Sequence, residues 1–555
     1  MQVAPAVVFI SLLTAAAAAY PANTCPIPAP AQHPERWRGE SAWQALAQRH
    51  YRIGDIHIHV AQVYDLDTPG SDAWYARMAD ALHVKTRPQT VRDQLLFRSG
   101  EPVEPSLIYQ TERRLRALTY LRRVAITPAG CSDGRVAVDV DVKDAWTLKP
   151  EITFKRVGGQ NIVNFRVAEH NFLGYGKLVS LGRINDVQRS DNYASYFDPA
   201  LGGSRWQMTA GVDNFSDGYS RRIAFNRPFF ADTAGWAAGT SFLTQQTNAN
   251  FYDDTHRAWY AADQTREFTL SAASLLDWNG TGGWRAGARY VDESFNYGPP
   301  VAVNPALRPP PLLPNRQFRG VQGTLDFFQD RYASFYNLAL VGHAEDYNLG
   351  WTVSTALGYF PTSFGSSTDA WIGSVDAAYG LRLPDLSVMF FNAHAAGRHA
   401  RGAWRGSSAT AAATYYNQAF DAQTLVAHLA YDWQLRPDPE DQLYLGGLSG
   451  MRGYPNYFRA GDRRWQATFE DRIATATDIW QTFQLGYVAF VDAGQVRRVG
   501  GRDWSRVYSD AGFGLRLGNL RSAFANVITM VVAVPLVRPN GISSYQIVIG
   551  DVVTF

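Results

Sequence analysis

The sequence predicts a membrane β-barrel that follows a small α+β domain. From Glu151 to Phe555, segments of eight to twelve residues alternate between apolar and polar side chains. No apolar run reaches the roughly 18 residues that a membrane-spanning helix needs; the longest, Val527 to Val537, has eleven, which suits a spanning strand. Only helices and closed barrels satisfy every backbone hydrogen bond in lipid. Mixed strand and helix periodicity between residues 51 and 150 predicts the α+β domain.

The composition agrees with a barrel and gives no electrostatic case for a nucleic-acid partner. The 555 residues carry a formal charge of only +2, whereas nucleic-acid binding depends on a strong positive patch. The 47 glycines, 28 tyrosines and 16 tryptophans are typical of many strands, tight turns and aromatic girdles. The sequence predicts no cofactor.

The chain opens with a predicted signal peptide, residues 1–19. Residues 4–19 are almost wholly apolar or small and end in three alanines, which fits a hydrophobic region and its cleavage site. A short membrane anchor is the alternative. Residues 20–50 are rich in proline, alanine and polar groups and are predicted to be a flexible lead-in. Export to an oxidising compartment would permit a disulfide between Cys25 and Cys131, and the sequence leaves that pairing open.

Residues 51–150 contain strand and helix signals in a compact order. Arg52–Val60, Arg123–Ile126 and Val136–Val142 alternate as strands do, and residues 90–96 and 108–121 carry helix signals. The predicted order is therefore strand, helix, helix, strand, strand.

Two histidines, His57 and His59, share one face of the first of these strands. Two such side chains could bind a metal ion. The sequence places no third ligand, so we interpret both as surface residues and predict no metal site.

The alternation from residue 151 onward is clearest in three segments, residues 284–290, 425–433 and 465–472. One face of these segments carries Trp, Tyr, Leu and Phe, and the other carries Arg, His, Asp and Glu. The faces of a water-soluble sandwich also alternate. Tryptophan and tyrosine near the strand ends favour a membrane barrel, with lipid outside and a polar lumen inside.

Residues 445–455, Leu-Gly-Gly-Leu-Ser-Gly-Met-Arg-Gly-Tyr-Pro, form neither a stable helix nor an ordinary strand. They predict a packed loop in which Gly450, Arg452, Gly453 and Tyr454 are the candidate functional residues. An arginine held close to another surface needs a carboxylate partner, because an unpaired buried guanidinium is costly. A phosphate-binding loop is the alternative, but neither Gly-Lys-Ser/Thr nor the strand-to-helix context is present.

Several segments together resemble the Omp85 superfamily of outer-membrane proteins, in particular BamA/TamA-like members with a barrel of the bacterial surface antigen D15 type. Met-Arg-Gly-Tyr is similar to the Arg-Gly-Phe/Tyr tip of the long loop that folds back into those barrels. The turn that follows their second strand resembles residues 169–177, with Asn171, Leu173, Gly174 and Gly176.

Two more segments carry the resemblance. Residues 490–494, Phe-Val-Asp-Ala-Gly, are similar to the strand that supplies the acidic partner of the loop arginine. The chain stops at Phe555 after an alternating run, which resembles the terminal-Phe signal that the outer-membrane assembly machinery recognises.

The resemblance implies a barrel of about 16 strands over residues 151–555 and one POTRA-like periplasmic domain over residues 51–150. An unrelated small α+β domain is the alternative for the latter. Alternation alone gives about 19 to 21 candidate strands. We assign the surplus, between Asn337 and Asn417, to paired ribbons in loops or to misread segments.

Alternation also predicts the partners of Arg452. Asp492 falls on the face opposite Leu485, Tyr487 and Val491, and Glu470 falls on the face opposite Trp465 and Phe469. Both carboxylates are therefore expected in the lumen, with Asp492 as the first partner and Glu470 as the second.

The function that this resemblance implies is an assembly or translocation pore in the outer membrane of a Gram-negative bacterium, with its N-terminal domain in the periplasm. Its expected partners are the lipid bilayer and unfolded or secreted polypeptides; lipid substrates and further assembly partners stay open. No catalytic motif is found, so we expect no enzyme activity. The alternatives are a passive diffusion channel and an outer-membrane hydrolase.

Overall fold

A computed structural model describes residue 25 and residues 40–63, 83–253, 255–307, 310, 312–479, 483–520 and 527–551. The predicted signal peptide and Phe555 lie outside these residues, as does most of the lead-in. The described chain comprises a small N-terminal unit and a closed barrel.

The N-terminal unit packs three helices on a three-stranded sheet in the order β1-β3-β2. β1 runs parallel to β3, and β2 runs antiparallel to it. The valines of β3 are buried on the helix-covered face, because strand side chains alternate between the two faces of a sheet. The elements are α1 (Glu40–Gln48), β1 (Arg52–Ala61), α2 (Pro88–Arg92), α3 (Pro105–Arg116), β2 (Leu121–Ser132) and β3 (Arg135–Asp144).

The unit begins earlier than the sequence suggested. Residues 40–48, placed by the sequence in the flexible lead-in, form α1, whose Trp43 and Leu46 are fully buried in the core of this unit. Two large apolar side chains three residues apart lie on one helix face, so the segment has a core to bury. Cys25 and Cys131 form a disulfide.

The barrel has 20 antiparallel strands in its wall. β13 (Val301–Ala302) pairs only with β11 and is not a wall strand. The wall strands are β4 (Leu148–Val157), β5 (Gln160–Glu169), β6 (Leu178–Asn185), β7 (Ser190–Asp198), β8 (Gln207–Phe215), β9 (Gly218–Arg227), β10 (Trp236–Asp253), β11 (His256–Trp278), β12 (Gly282–Tyr297), β14 (Arg316–Gln329), β17 (Thr352–Phe360), β18 (Ala370–Leu383), β19 (Ser387–Ala400), β20 (Ala403–Asn417), β21 (Gln423–Leu435), β24 (Arg463–Ile479), β25 (Phe483–Arg497), β26 (Tyr508–Asn519), β27 (Val527–Pro535) and β28 (Gln546–Asp551).

The predicted count of about 16 strands is therefore wrong, and the surplus between Asn337 and Asn417 belongs to the wall. β17 to β20 pair in sequence with one another and continue the barrel. Their alternation reflects a real outward face, since Leu357, Trp371 and Phe391 are exposed. The error came from imposing a strand number on an alternation that was itself sound.

The outer surface of the wall is apolar, and the inner surface is polar. In β24, Phe469 is half exposed, whereas its neighbours Thr468 and Glu470 are buried inside the barrel. The same apolar outer face continues around the wall, for example at Leu270, Trp284, Leu429, Tyr487, Phe513 and Val532. Among the described residues, no helix is long and apolar enough to cross a membrane.

The barrel closes between its first and last strands over a short seam. Within the described residues, β28 and β4 share one residue pair, Ile549 with Arg156. β27 and β28 share six. The seam is the weakest junction of the wall.

The N-terminal unit is attached to one end of the barrel, here called the near end; the opposite end is the far end. Turns between wall strands reach it, as when Arg205 donates to the carbonyls of Asp93 and Leu95 at the end of α2, at 2.8 and 2.5 Å. On α3, Arg113 donates to Asp330 at 2.7 Å.

Two segments between wall strands fold into the lumen. From the near end comes the ribbon, residues 332–348, made of β15 (Tyr332–Tyr336) and β16 (Ala344–Asn348). From the far end comes the luminal loop, residues 436–462, which contains β22 (Leu443–Leu445) and β23 (Arg459–Gly461).

Candidate functional site: the luminal loop and its ion pairs

The luminal loop starts from anchors on the far end of the wall. Arg398 holds Asp438 through two nitrogen–oxygen bonds of 2.6 and 2.5 Å. Arg316 pairs with Glu440, whose carboxylate also accepts a bond of 2.8 Å from the Tyr297 hydroxyl. Buried polar groups that are fully paired hold a segment in one geometry. The entry of the loop into the lumen is therefore fixed.

The tip of the loop packs through a small apolar cluster. Met451, Tyr454 and Phe458 are buried against Val496 and Tyr508. The Tyr454 hydroxyl donates to the carbonyls of Ser509 and Val537, at 3.0 and 2.7 Å. Gly450 turns the chain ahead of Met451 with φ +101°, a left-handed conformation that favours glycine.

Arg452 lies at the centre of the tip and contacts both predicted carboxylates. Its Nε and Nη2 donate to the two oxygens of Asp492, each at 2.7 Å, and its Nη1 donates to Glu470 at 2.7 Å. The guanidinium lies 3.4 Å from the centre of the Phe490 ring. Burial alone would lower the pKa of Arg452, but the bonds to Asp492 and Glu470 raise it. The arginine is charged and fully engaged.

The wall supplies further partners that the sequence did not identify. Thr468 donates to Asp492 at 2.9 Å, and Arg472 donates to the second oxygen of Glu470 at 2.7 Å. Asp510, the cross-strand neighbour of Asp492 on β26, is fully buried beside it. Since these positions alternate inward on adjacent strands, the inward pattern names them as lumen residues but not as partners.

The loop also braces both sides of the seam. Asn456 donates to the carbonyl of Val157, at the end of β4, at 3.0 Å. On the other side, Tyr454 bonds Val537 just beyond β27. Breaking a buried ion pair by removing one partner costs about 3 to 5 kcal/mol. Arg452 therefore fixes a loop whose neighbours in the wall flank the seam.

The predicted turn at residues 169–177 lies after the second barrel strand and forms the joint with the N-terminal unit. Asn171 donates to the Thr86 hydroxyl at 2.8 Å and accepts from the Gly176 amide at 2.7 Å. The Gly174 carbonyl accepts a bond of 2.9 Å from Thr90. Leu173 is exposed, with φ +55°. The sequence found the turn but not what it holds.

The two histidines of β1 lie on the exposed face of the small sheet. His57 contacts Asp139 at 3.0 Å, and His59 lies 4.0 Å from the same carboxylate. Over the described part of the chain, no group of three or more His, Cys, Asp or Glu side chains is arranged to hold a metal ion.

No protein-family model matches the chain, and no curated protein matches its sequence. Three solved structures are similar to it. For CdiB from Acinetobacter baumannii the identity is 13% and the TM-score 0.41, over 90% of this chain and 73% of that one. CdiB from Escherichia coli gives 14% and 0.44, over 90% and 76%. BamA from Haemophilus ducreyi lacking POTRA domains 1–3 gives 14% and 0.38, over 89% and 84%. Similarities this distant assign neither a family nor a substrate.

Proposed function

We propose that this chain is an outer-membrane pore of the Omp85 type that inserts or exports polypeptides by opening the seam between β4 and β28. The carrying observation is the fork of Arg452 on Asp492 and Glu470, which fixes the luminal loop inside a closed barrel. The loop in turn contacts both sides of the weakest junction of the wall.

The outer surface supports insertion into a bilayer. Apolar side chains cover the outside of the wall while charged and polar ones face inward. A large exposed apolar surface on a closed barrel suits lipid and would be costly in water.

A short seam supports lateral opening. With one pair between β28 and β4 in the described residues, parting these strands breaks few backbone hydrogen bonds. An exposed strand edge would then pair with an incoming strand, because unpaired backbone groups are costly in lipid.

The N-terminal unit supports capture of extended polypeptide, and we propose that it is a periplasmic, POTRA-like domain. β2 is an edge strand of its sheet. The free side of β1, the other edge, is partly occupied, since Ile53 exchanges backbone bonds with Gly100 and Glu101. An extended peptide added to an edge strand gains main-chain hydrogen bonds, and ordering it costs entropy, so micromolar or weaker affinity is expected.

A cysteine pair across the seam tests the proposal. Arg156 and Ile549 are register partners, and such partners lie within the Cα range that a disulfide accepts. In cells that depend on the chain, Arg156→Cys/Ile549→Cys should lose polypeptide insertion or export when oxidised and regain it with reductant. The readout is the quantified protein content of the outer membrane and the medium.

The matched control is Val532→Cys/Ile547→Cys, which links the register partners of β27 and β28. It should retain activity in either redox state, and the parent chain treated with reductant accounts for its own disulfide. A seam-locked protein as active as this control would contradict lateral opening.

A passive diffusion channel is the second candidate, and the lumen gives it one supporting observation. A cavity of about 470 Å³ lies along the inner wall away from the luminal loop, with Asp326, Ser354 and Asp376 in its lining. Steady conduction that persists in the seam-locked protein, with no change in the protein content of the membrane or medium, would favour this function.

A further inference from the structure

The ribbon closes the lumen from the end opposite the luminal loop. Its tip, residues 337–343, is buried among wall strands, with Leu338, Ala339 and Val341 each 2% exposed or less. His343 Nε2 lies 2.8 Å from the carbonyl of Asn519 on β26. A two-stranded ribbon on its own is marginally stable, so these contacts with the wall hold it in place.

The inner wall presents an apolar patch that only the ribbon covers among the described residues. Val388, Tyr416 and Val426 are cross-strand neighbours on β19, β20 and β21 and are almost fully buried. Leu338 of the tip packs against them. Apolar side chains facing a water-filled lumen would be unfavourable, so the patch fits a permanent or recurrent occupant.

A carboxylate within the ribbon shapes its tip. Glu345 is buried and accepts bonds from three consecutive backbone amides, those of Leu338, Ala339 and Leu340, at 2.9 to 3.1 Å. Tyr347 donates to the same carboxylate at 2.8 Å. Charge-assisted bonds of this kind preorganise a short turn, so the tip keeps its shape independently of the wall.

The tip is latched to the wall by two arginines through backbone carbonyls. Arg472 donates to Leu338 at 3.2 Å, and Arg516 donates to Ala339 at 2.5 Å. Arg472 is also bonded to Glu470, whose other oxygen holds Arg452 of the luminal loop. One carboxylate therefore bridges the two segments that enter the lumen from opposite ends.

The base of the ribbon contacts the N-terminal unit. Arg113 of α3 pairs with Asp330 at 2.7 Å, and its guanidinium lies 3.9 Å from the centre of the Tyr332 ring. Any movement of α3 relative to the near end changes these contacts first.

We propose that the ribbon is a second, movable plug of the lumen, latched by Arg472 and Arg516 and coupled through Glu470 to the luminal loop. The position of its base makes the N-terminal unit the element that senses a polypeptide and releases the plug. This rests on the proposed function only in that the released lumen serves transport.

Thiol labelling tests the latch in the full chain. Ala339→Cys puts a reporter on the buried tip, and Met451→Cys puts one on the buried tip of the luminal loop; the two native cysteines are already joined. Arg472→Gln and Arg516→Gln should each speed labelling at Ala339→Cys by about tenfold or more, as expected for a lost charged hydrogen bond. Arg222→Gln, whose arginine bonds Asp213 on a distant part of the wall, should leave it unchanged.

The coupling has its own signature. Glu470→Gln should speed labelling at both reporters, whereas Asp492→Asn should speed only Met451→Cys. If Ala339→Cys reacts fast in the parent background, or at the same rate in all variants, the plug is excluded. A Glu470→Gln effect confined to Met451→Cys would overturn the coupling.

Conductance in planar bilayers gives an independent readout that requires no polypeptide substrate. Tyr332 and Asn348 are paired at the base of the ribbon, so a short glycine-serine linker can replace residues 332–348. The replaced barrel should conduct several times more than the parent chain and the Arg222→Gln variant. Equal conductance would overturn the plug, while a loss of polypeptide transport in the seam-locked protein alone would not affect it.

Discussion

Gly453 of the luminal loop lies so close to Asp510 of the wall that a β-carbon on the glycine would be 2.6 Å from the Asp510 Cβ. The same atom would be 3.1 Å from the backbone nitrogen of Pro535. The loop therefore approaches the wall as closely as the backbone allows, and it does so beside the ion pair.

Replacing this glycine should loosen the loop. Gly453→Ala forces the loop away from β26 and β27, and overpacking of this kind costs about 1 to 3 kcal/mol. Cleavage of the loop by chymotrypsin should become about tenfold faster or more. Gly235→Ala, where an added β-carbon meets nothing within 4 Å, is the control, and equal cleavage rates in both variants would contradict the close approach.

The joint between barrel and N-terminal unit has a matching glycine test. At Gly174, φ is +78° and an added β-carbon would lie 2.6 Å from the Lys85 carbonyl. Gly202 has a similar φ of +61° but open space around it. Gly174→Ala should undock the unit, seen as faster hydrogen exchange at residues 85–90, whereas Gly202→Ala carries only the backbone strain. Equal exchange in the two variants would mean that the contact does not hold the joint.

The joint should also weaken in acid. Burial, with the positive charges of Lys149 and Arg166 nearby, lowers the pKa of His170 to about 4. His170 contacts Thr119 of the N-terminal unit at 3.0 Å. An undocked histidine titrates near 6.5, so the undocked state binds more protons below that pH. Docking is then fully stable above pH 6.5 and loses about 1 to 2 kcal/mol by pH 5.

Hydrogen exchange at residues 145–147 and 170–176, corrected for intrinsic rates, measures this change between pH 7.5 and 5. His170→Asn removes the titrating group and should flatten the dependence. A parent chain and variant with the same pH dependence would assign the effect to other groups.

Local patterns in the sequence predicted much of the lumen site. Strand alternation puts Glu470 and Asp492 on the inward face, and the glycine-rich stretch around Arg452 predicts a packed loop. In the structure all three side chains meet. Periodicity and composition are local properties, so they report which face a side chain takes.

Contacts set by tertiary structure were beyond the sequence. Nothing local pairs Arg472 with the Leu338 carbonyl or assigns the ribbon to the lumen, because a hairpin outside the barrel has the same pattern. The fixed expectation of about 16 strands also overrode the alternation of β17 to β20. At the other end of the chain, Trp43 and Leu46 were overlooked within a stretch dominated by proline and alanine.

The fork between Arg452 and Asp492 carries the account, and a double-mutant cycle measures it most directly. The free energy of loop opening, from chymotrypsin cleavage rates, should fall by about 3 to 5 kcal/mol in Arg452→Ala and in Asp492→Ala, because each strands a buried charge. Arg452→Lys should recover only part, since lysine lacks the planar fork. The account predicts that the double variant opens little more than either single one; purely additive effects would contradict it.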